Sequence, residues 1–319
     1  MSPRRLPPLT IETAPWKPEG WISAKDAATA AKLACCLIAA LTPVRHWPTA
    51  ARLMARVHLR IQDRGVQTLA ASNAFPEQDA RARAEAAFAA DYLWNIRAIR
   101  EALPGGWRCE TTLGGRDILD RALQRSRGAV LWCSPFVGSD LAPKKALAGY
   151  RLTHLSSPSH PFSPTLFGTL LLNPVRLRAV NRYLVRRVLV IYGNSRPALD
   201  VLKQVLSENG VVLITAVGAG KRSLTFPFLG GTIELAVGAP RLAYETGSAL
   251  IPVSTLPDQK GGYRVELGPD LAAPTDLPEQ QAVLQMTSRY VELLEPVVRA
   301  YPAQWEGWFH PGTWRQAAI

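Results

Sequence analysis

The stretch FPFLGGTIELAVGAPRLAYETGSALIPVS, residues 226–254, decides the fold. Within it TIELAVGAPRLAYETG (232–247) holds a helix, and ALIPVS (249–254) is a short apolar run with the length of a buried strand. The same alternation extends upstream. RDILDRALQRSRG (116–128) reads as a helix closed by Gly128, and AVLWC (129–133) as the strand after it. KKALAGY (144–150) is helical, RLTHLS (151–156) a strand, and PVRLRAVNRYLVRR (174–187) one basic helix. VLVIYG (188–193) is a strand, RPALDVLKQVLSENG (196–210) a helix with a glycine stop, and VVLITAV (211–217) a strand. Downstream, YRVEL (263–267) adds a strand, and a long helix (279–300) leads into a Trp-rich tail. Buried strands separated by helices predict an α/β fold, a mixed, mainly parallel sheet flanked by helices on both faces.

Ahead of this domain, residues 1–22 are rich in Pro and Trp and read as an extended arm. Residues 23–106 read as an N-terminal helical extension, and 107–319 as the α/β domain. Ser23 followed by Asp26 is a capping-box pattern that opens a helix to about Ala40. From Trp47 to Gln67, Arg52, Arg56 and Arg60 stand beside Leu53, Met54, Val57 and Leu59. Such a helix either packs on the domain or lies in a membrane interface. A third helix, about Glu77 to Leu103, carries Phe88, Tyr92, Ile96 and Ile99 at helical spacing, as a core stripe does.

The formal net charge is +12, so the field favours anionic partners: an anionic membrane surface or an acidic carrier protein. No zinc-finger spacing, RNP-like strand or dense Lys/Arg block accompanies the charge, and no nucleic acid is expected as a partner. Cysteines 35, 36, 109 and 133 form no C-x-x-C pair, which suits reduced thiols in a cytoplasmic setting. The longest unbroken apolar run, Leu33–Leu41, is shorter than the ~20 residues a span requires. Any membrane contact is expected to be peripheral.

Familiar catalytic signatures fail. VGAGKRS (217–223) lacks the first glycine of a P-loop, where Thr215 stands, and its Ser/Thr, where Arg222 stands. There is no G-x-S-x-G elbow, and the five histidines show no metal spacing.

A longer pattern fits. The 226–254 stretch, YRVELGPDL and the ending YPAQWEGWFHPGTW resemble the lysophospholipid acyltransferase superfamily, in its lipid A late acyltransferase branch. The resemblance covers about residues 25–315 and implies an acyltransferase-like fold. It implies transfer of an acyl group from a thioester donor, acyl-CoA or acyl carrier protein, to a hydroxyl or amine of a lipid-type acceptor, with no bound cofactor. The cytoplasmic face of the inner membrane is the implied location. On this pattern PFVGSD (135–140) falls on the H-x-x-x-x-D/E motif, with Asp140 on its acidic position. The histidine that removes the acceptor's proton in relatives is here Pro135. In the third block, Val217 stands where relatives carry an acidic residue.

Three readings follow: a base from elsewhere, a catalytically inactive homologue that binds lipids or partner proteins, or thiol chemistry at Cys133. His160, in the loop after the next strand, is the candidate base beside Asp140. The ordinary role for an Asp at 140 is a helix N-cap. Ser134, Lys221, Arg222, Gly230, Gly231 and Arg176 are the candidate substrate-binding residues. Arg178, Arg182 and Arg186 recur every four residues, as a stripe on one helix face would. The loops 135–140 and 218–223 are expected on one rim, beyond the carboxyl ends of their strands.

Overall fold

A computed structural model describes residues 10–13, 17–61, 75, 79–105, 108–157, 162–190, 195–218, 222–272, 276–309 and 313–316. At its centre is β3 (Ala129–Cys133), buried at every position because both faces of the sheet are covered. Parallel neighbours β6 (Val211–Thr215) and β9 (Ala249–Pro257) flank it. Beyond β6 follow β4 (Leu152–Ser156), β5 (Arg186–Leu189) and β1 (Thr10–Thr13), all parallel. Beyond β9, β10 (Tyr263–Leu267) runs antiparallel to it, and β2 (Thr111–Gly114) pairs parallel with β10. The sheet is therefore mixed and mainly parallel, in the order β1-β5-β4-β6-β3-β9-β10-β2. A separate three-stranded sheet joins β7 (Ser223–Phe228), β8 (Gly231–Ala236) and β11 (Trp314–Gln316).

Successive side chains of β3 point to opposite faces and feed two cores. Val130 and Trp132 pack with α7 (Arg196–Ser207), α8 (Gly238–Thr246) and α9 (Glu279–Ala300). Ala129, Leu131 and Cys133 pack on the other face with α4 (Arg116–Gln124), α5 (Ala142–Ala146) and α6 (Asn173–Val180). The N-terminal extension forms α1 (Ala24–Ala40), α2 (Trp47–Ile61) and α3 (Ala80–Ala102). The expected capping box is present, with the Ser23 N–H donating to Asp26 Oδ2 at 2.7 Å. One helix, α3, contributes to every core: Ala84 and Ala87 to the first, Trp94 and Ala98 to the second, Tyr92, Ile96 and Ile99 to the third, with α1 and α2.

Two expectations are corrected. The arm read in residues 1–22 contains an edge strand, β1, hydrogen-bonded along β5. The basic segment 174–187 is not one helix, since α6 stops at Val180, a 3-10 turn covers Asn181–Tyr183, and Arg186 and Arg187 enter β5. Pairing with β4 outweighs the helical spacing of the arginines. Arg187 is buried, donates to Ser156 Oγ at 3.0 Å, and burial pushes its guanidinium down to about 10. Arg182 donates to the Glu101 carbonyl at 3.1 Å, so no stripe over 178, 182 and 186 forms.

Candidate functional site

The site is built where β3 ends. The Ser134 N–H donates to the Val253 carbonyl at 2.9 Å, which carries the sheet one residue further before Pro135 breaks it. Gly138 has φ 88°, and a Cβ there would lie 2.9 Å from the Tyr263 ring. The loop therefore turns tightly against β10 and presents Asp140. β6 leaves the same edge, with the Ala216 N–H donating to the Cys133 carbonyl at 2.8 Å. Ala216–Gly218 and the 134–140 loop thus share one rim, as the parallel pairing of their strands requires.

Asp140 does not cap a helix. Leu141 takes the N-cap position of α5, and the Asp140 carboxylate pairs with Arg176 Nη1 of α6 at 3.1 Å. Their side chains are 14% and 13% exposed, so water screens the pair little. Arg176 lies between the rings of Phe162, 4.8 Å away, and Trp94, 6.0 Å away. It also donates to Asn95 Oδ1, and Asn95 Nδ2 in turn donates to Asp91 Oδ1 at 2.8 Å. Lys32 of α1 closes the chain by pairing with Asp91. A polar relay thus runs from α1 through α3 to the loop after β3. Below it, Lys144 Nζ donates to the Asp140 carbonyl at 2.5 Å. Lys144 is fully buried, and burial pushes its ammonium down to about 8 against the pull of Asp140.

The C-terminal segment completes the site. The Val137 N–H donates to the Gln304 carbonyl at 2.7 Å, Phe136 and Trp305 form an antiparallel bridge, and the Glu306 N–H donates to the Pro135 carbonyl at 2.6 Å. Trp305 is fully buried against Phe228 and Trp308. The carboxyl of Glu306, the next residue, feels the charges of the relay. Although Glu306 keeps some contact with solvent, burial pushes its carboxyl up to about 8. Asp91 and Asp140 push the same way, while Arg176 and Lys32 oppose them.

The remaining expected residues are spread out. Ser134 is buried, and its hydroxyl lies 2.7 Å from the Tyr290 hydroxyl on the opposite face from Asp140's partners. Arg222 is exposed at the start of β7. Gly230 lies with Leu229 in the β7–β8 turn, and Gly231 opens β8, where a Cβ would lie 2.3 Å from the Arg315 carbonyl of β11. His160 and Lys221 lie outside the described residues. Cys133 is buried and its thiol is pushed up to about 12, which leaves no thiolate for nucleophilic chemistry at neutral pH. The sequence reading missed Glu306, Lys144 and the Lys32–Asp91–Asn95 relay. For Lys144 a signal existed, since it stands four residues after Asp140; for Glu306 none did, because its place depends on the return of the chain.

Residues 184–315 match the family model described as bacterial lipid A biosynthesis acyltransferase. Over 204 residues the chain is 28% identical to a phosphatidylinositol mannoside acyltransferase of Mycobacterium tuberculosis, an alignment covering 61% of this chain. The chain spans 58% of the length of that relative. The family match includes the β7–β8 sheet and the Trp305–Trp314 segment, and it begins after the 134–140 loop and Arg176.

Proposed function

From a chain that bears out the resemblance to the lipid A acyltransferase branch, we propose that the protein is a lipid-directed acyltransferase with a non-standard site. It moves an acyl group from a thioester, acyl-CoA or acyl carrier protein, to a hydroxyl or amine of a lipid-type acceptor. The observation that carries this reading is Asp140, held by Arg176 on the loop that leaves the carboxyl edge of β3. Open α/β sheets take their ligands beyond that edge. Arg176 is committed to Asp140 and Asn95, so headgroup or donor phosphates fall to the exposed Arg222 and to Lys221. His160 remains the histidine that the sequence offers as base.

The surface supports work on a membrane. Among the described residues no helix is long and apolar enough to cross one. Trp21, Ile22, Leu37, Ile38, Leu41, Leu170 and Leu171 are nonetheless exposed. The Phe167 N–H donates to the Trp21 carbonyl, which brings Trp21 beside the Leu170–Leu171 turn, and that turn also packs on α1. Arg52 and Arg56 of α2 are exposed as well. Exposed apolar residues on a chain of net charge +12 suit peripheral attachment to an anionic surface, here the cytoplasmic face of the inner membrane. An Ile38→Glu, Leu41→Glu variant is expected to lose binding to anionic vesicles at least ~10-fold, from two lost apolar insertions. Flotation at low and high salt checks this, and unchanged binding would refute the assigned face.

The test of the function is transfer of a labelled acyl group, from palmitoyl-coenzyme A or palmitoyl-acyl carrier protein, into a polar lipid extract. Wild-type protein is expected to label lipid, and Asp140→Ala to lose most of that transfer while remaining folded by circular dichroism. Pro135 favours the second reading, a homologue that binds lipid without turning it over. Absence of transfer across donors of several chain lengths would select it.

A further inference from the structure

On the family resemblance the loop after β3 carries Pro135 where relatives place the residue that takes the acceptor's proton, and a segment from the far end of the chain is fastened to that residue by its backbone. Glu306 is tied by its own N–H to the Pro135 carbonyl at 2.6 Å, the position left without a base. The flanking contacts, Val137 to Gln304 and the Phe136–Trp305 bridge, fix its register. Trp305 stands between two 3-10 turns, Pro302–Gln304 and Glu306–Trp308, with its indole buried, and the charges of Asp140 and Arg176 act on the Glu306 carboxyl. We infer that Glu306 is the general base of this acyltransferase, standing in for the side chain that Pro135 does not provide. The inference rests on the acyl-transfer reading above.

Geometry and chemistry agree on the role. The Glu306 carboxyl has no hydrogen bond or ion pair among the described residues, whereas Asp91 and Asp140 are each held by a cation. Among the described residues it is therefore the carboxyl of this group that no cation holds. Lys144, another buried titratable group beside the loop, is sealed from solvent and spends its Nζ on the Asp140 carbonyl. The charged groups facing Glu306 are Lys32 from α1, Asp91 from α3, Asp140 from the loop and Arg176 from α6. Burial and the two anions raise its affinity for a proton, which brings it close to the working pH, where a general base is most effective.

The step balances with Glu306 alone. Its carboxylate takes the proton of the acceptor hydroxyl as that oxygen attacks the thioester carbonyl carbon. The tetrahedral intermediate collapses, the C–S bond breaks, and the departing thiolate receives the same proton. An oxygen ester and a free thiol leave, and the carboxylate is restored.

The test measures transfer from palmitoyl-coenzyme A into a polar lipid extract, and thiol release, for wild type, Glu306→Gln, Glu306→Asp and His160→Ala. Glu306→Gln is expected to lower kcat ~10²–10⁴-fold with little change in KM. Glu306→Asp should recover part of the loss. In wild type, kcat/KM should rise with pH through an apparent pKa near 8. A second readout needs no turnover. A carboxyl raised from 4.5 to about 8 stabilises the fold fully below pH 4.5, and that contribution is lost as pH rises through 8. The Tm of wild type should therefore fall over that window relative to Glu306→Gln. Parallel Tm curves, or Glu306→Gln transfer within about threefold of wild type whatever His160→Ala does, would overturn the inference while leaving the transferase reading intact. Wild-type protein that turns over no donor would overturn both.

Discussion

Arg176→Met is expected to lower the stability of the fold by about 3–5 kcal/mol, the usual cost of removing one partner of a buried ion pair. The Asp140 carboxylate would be left in a site where it is 14% exposed, with both oxygens shielded from solvent and no hydrogen-bond donor on either. Asn95 would lose its donor and the relay to Asp91 its link to the loop. Most of the penalty belongs to the stranded charge, and a double variant separates it. Asp140→Leu combined with Arg176→Met removes both charges, and replacing a buried pair by apolar groups is often near neutral. The double variant is thus expected to recover most of the stability without recovering transfer. Urea denaturation at neutral pH checks both parts. A loss under about 1 kcal/mol in Arg176→Met would mean that the pair is solvated and the site more open than its burial implies.

The second large effect is expected at Trp305. Truncation to alanine removes a fully buried indole packed on Phe228 and Trp308, at a cost of about 3–5 kcal/mol. Its consequence reaches beyond stability, since Trp305 is also the residue that bridges Phe136. Trp305→Phe keeps a ring in the pocket and should lose much less stability. If Trp305→Ala loses transfer and Trp305→Phe retains it at equal folded fraction, the segment acts by holding Glu306 in place. Equal transfer in both variants would mean that the bridge is irrelevant to the site.

What the sequence made legible follows from locality. β3, β6 and β9 are apolar runs between turn residues, and burial on both faces leaves no other reading. β5 was displaced because Arg186 and Arg187 extend a helical pattern, and only pairing with β4 reveals a strand. β1, TIET, has too little apolar surface to announce itself. At the site, Asp140 was legible because the motif that carries it is six residues long. Its partner was misread. In sequence Arg176 stands among the candidate substrate-binding residues, whereas α6 turns it inward between Trp94 and Phe162. Glu306 belongs to a pattern recognised for its tryptophans, and nothing in its neighbours places it beside a loop near residue 135.

The edge strand has a kinetic consequence. Thr10 pairs with Arg186, so β1 closes a loop of more than half the chain to make a four-residue ladder. Loop-closure entropy opposes such a contact until β5 has docked on β4, and few apolar groups reward it afterwards. β1 is then the strand that arrives last during folding and exchanges its amide hydrogens first in the native protein. In the interval before Thr10–Thr13 arrive, β5 presents an unpaired backbone to any neighbouring chain, an opening for strand exchange.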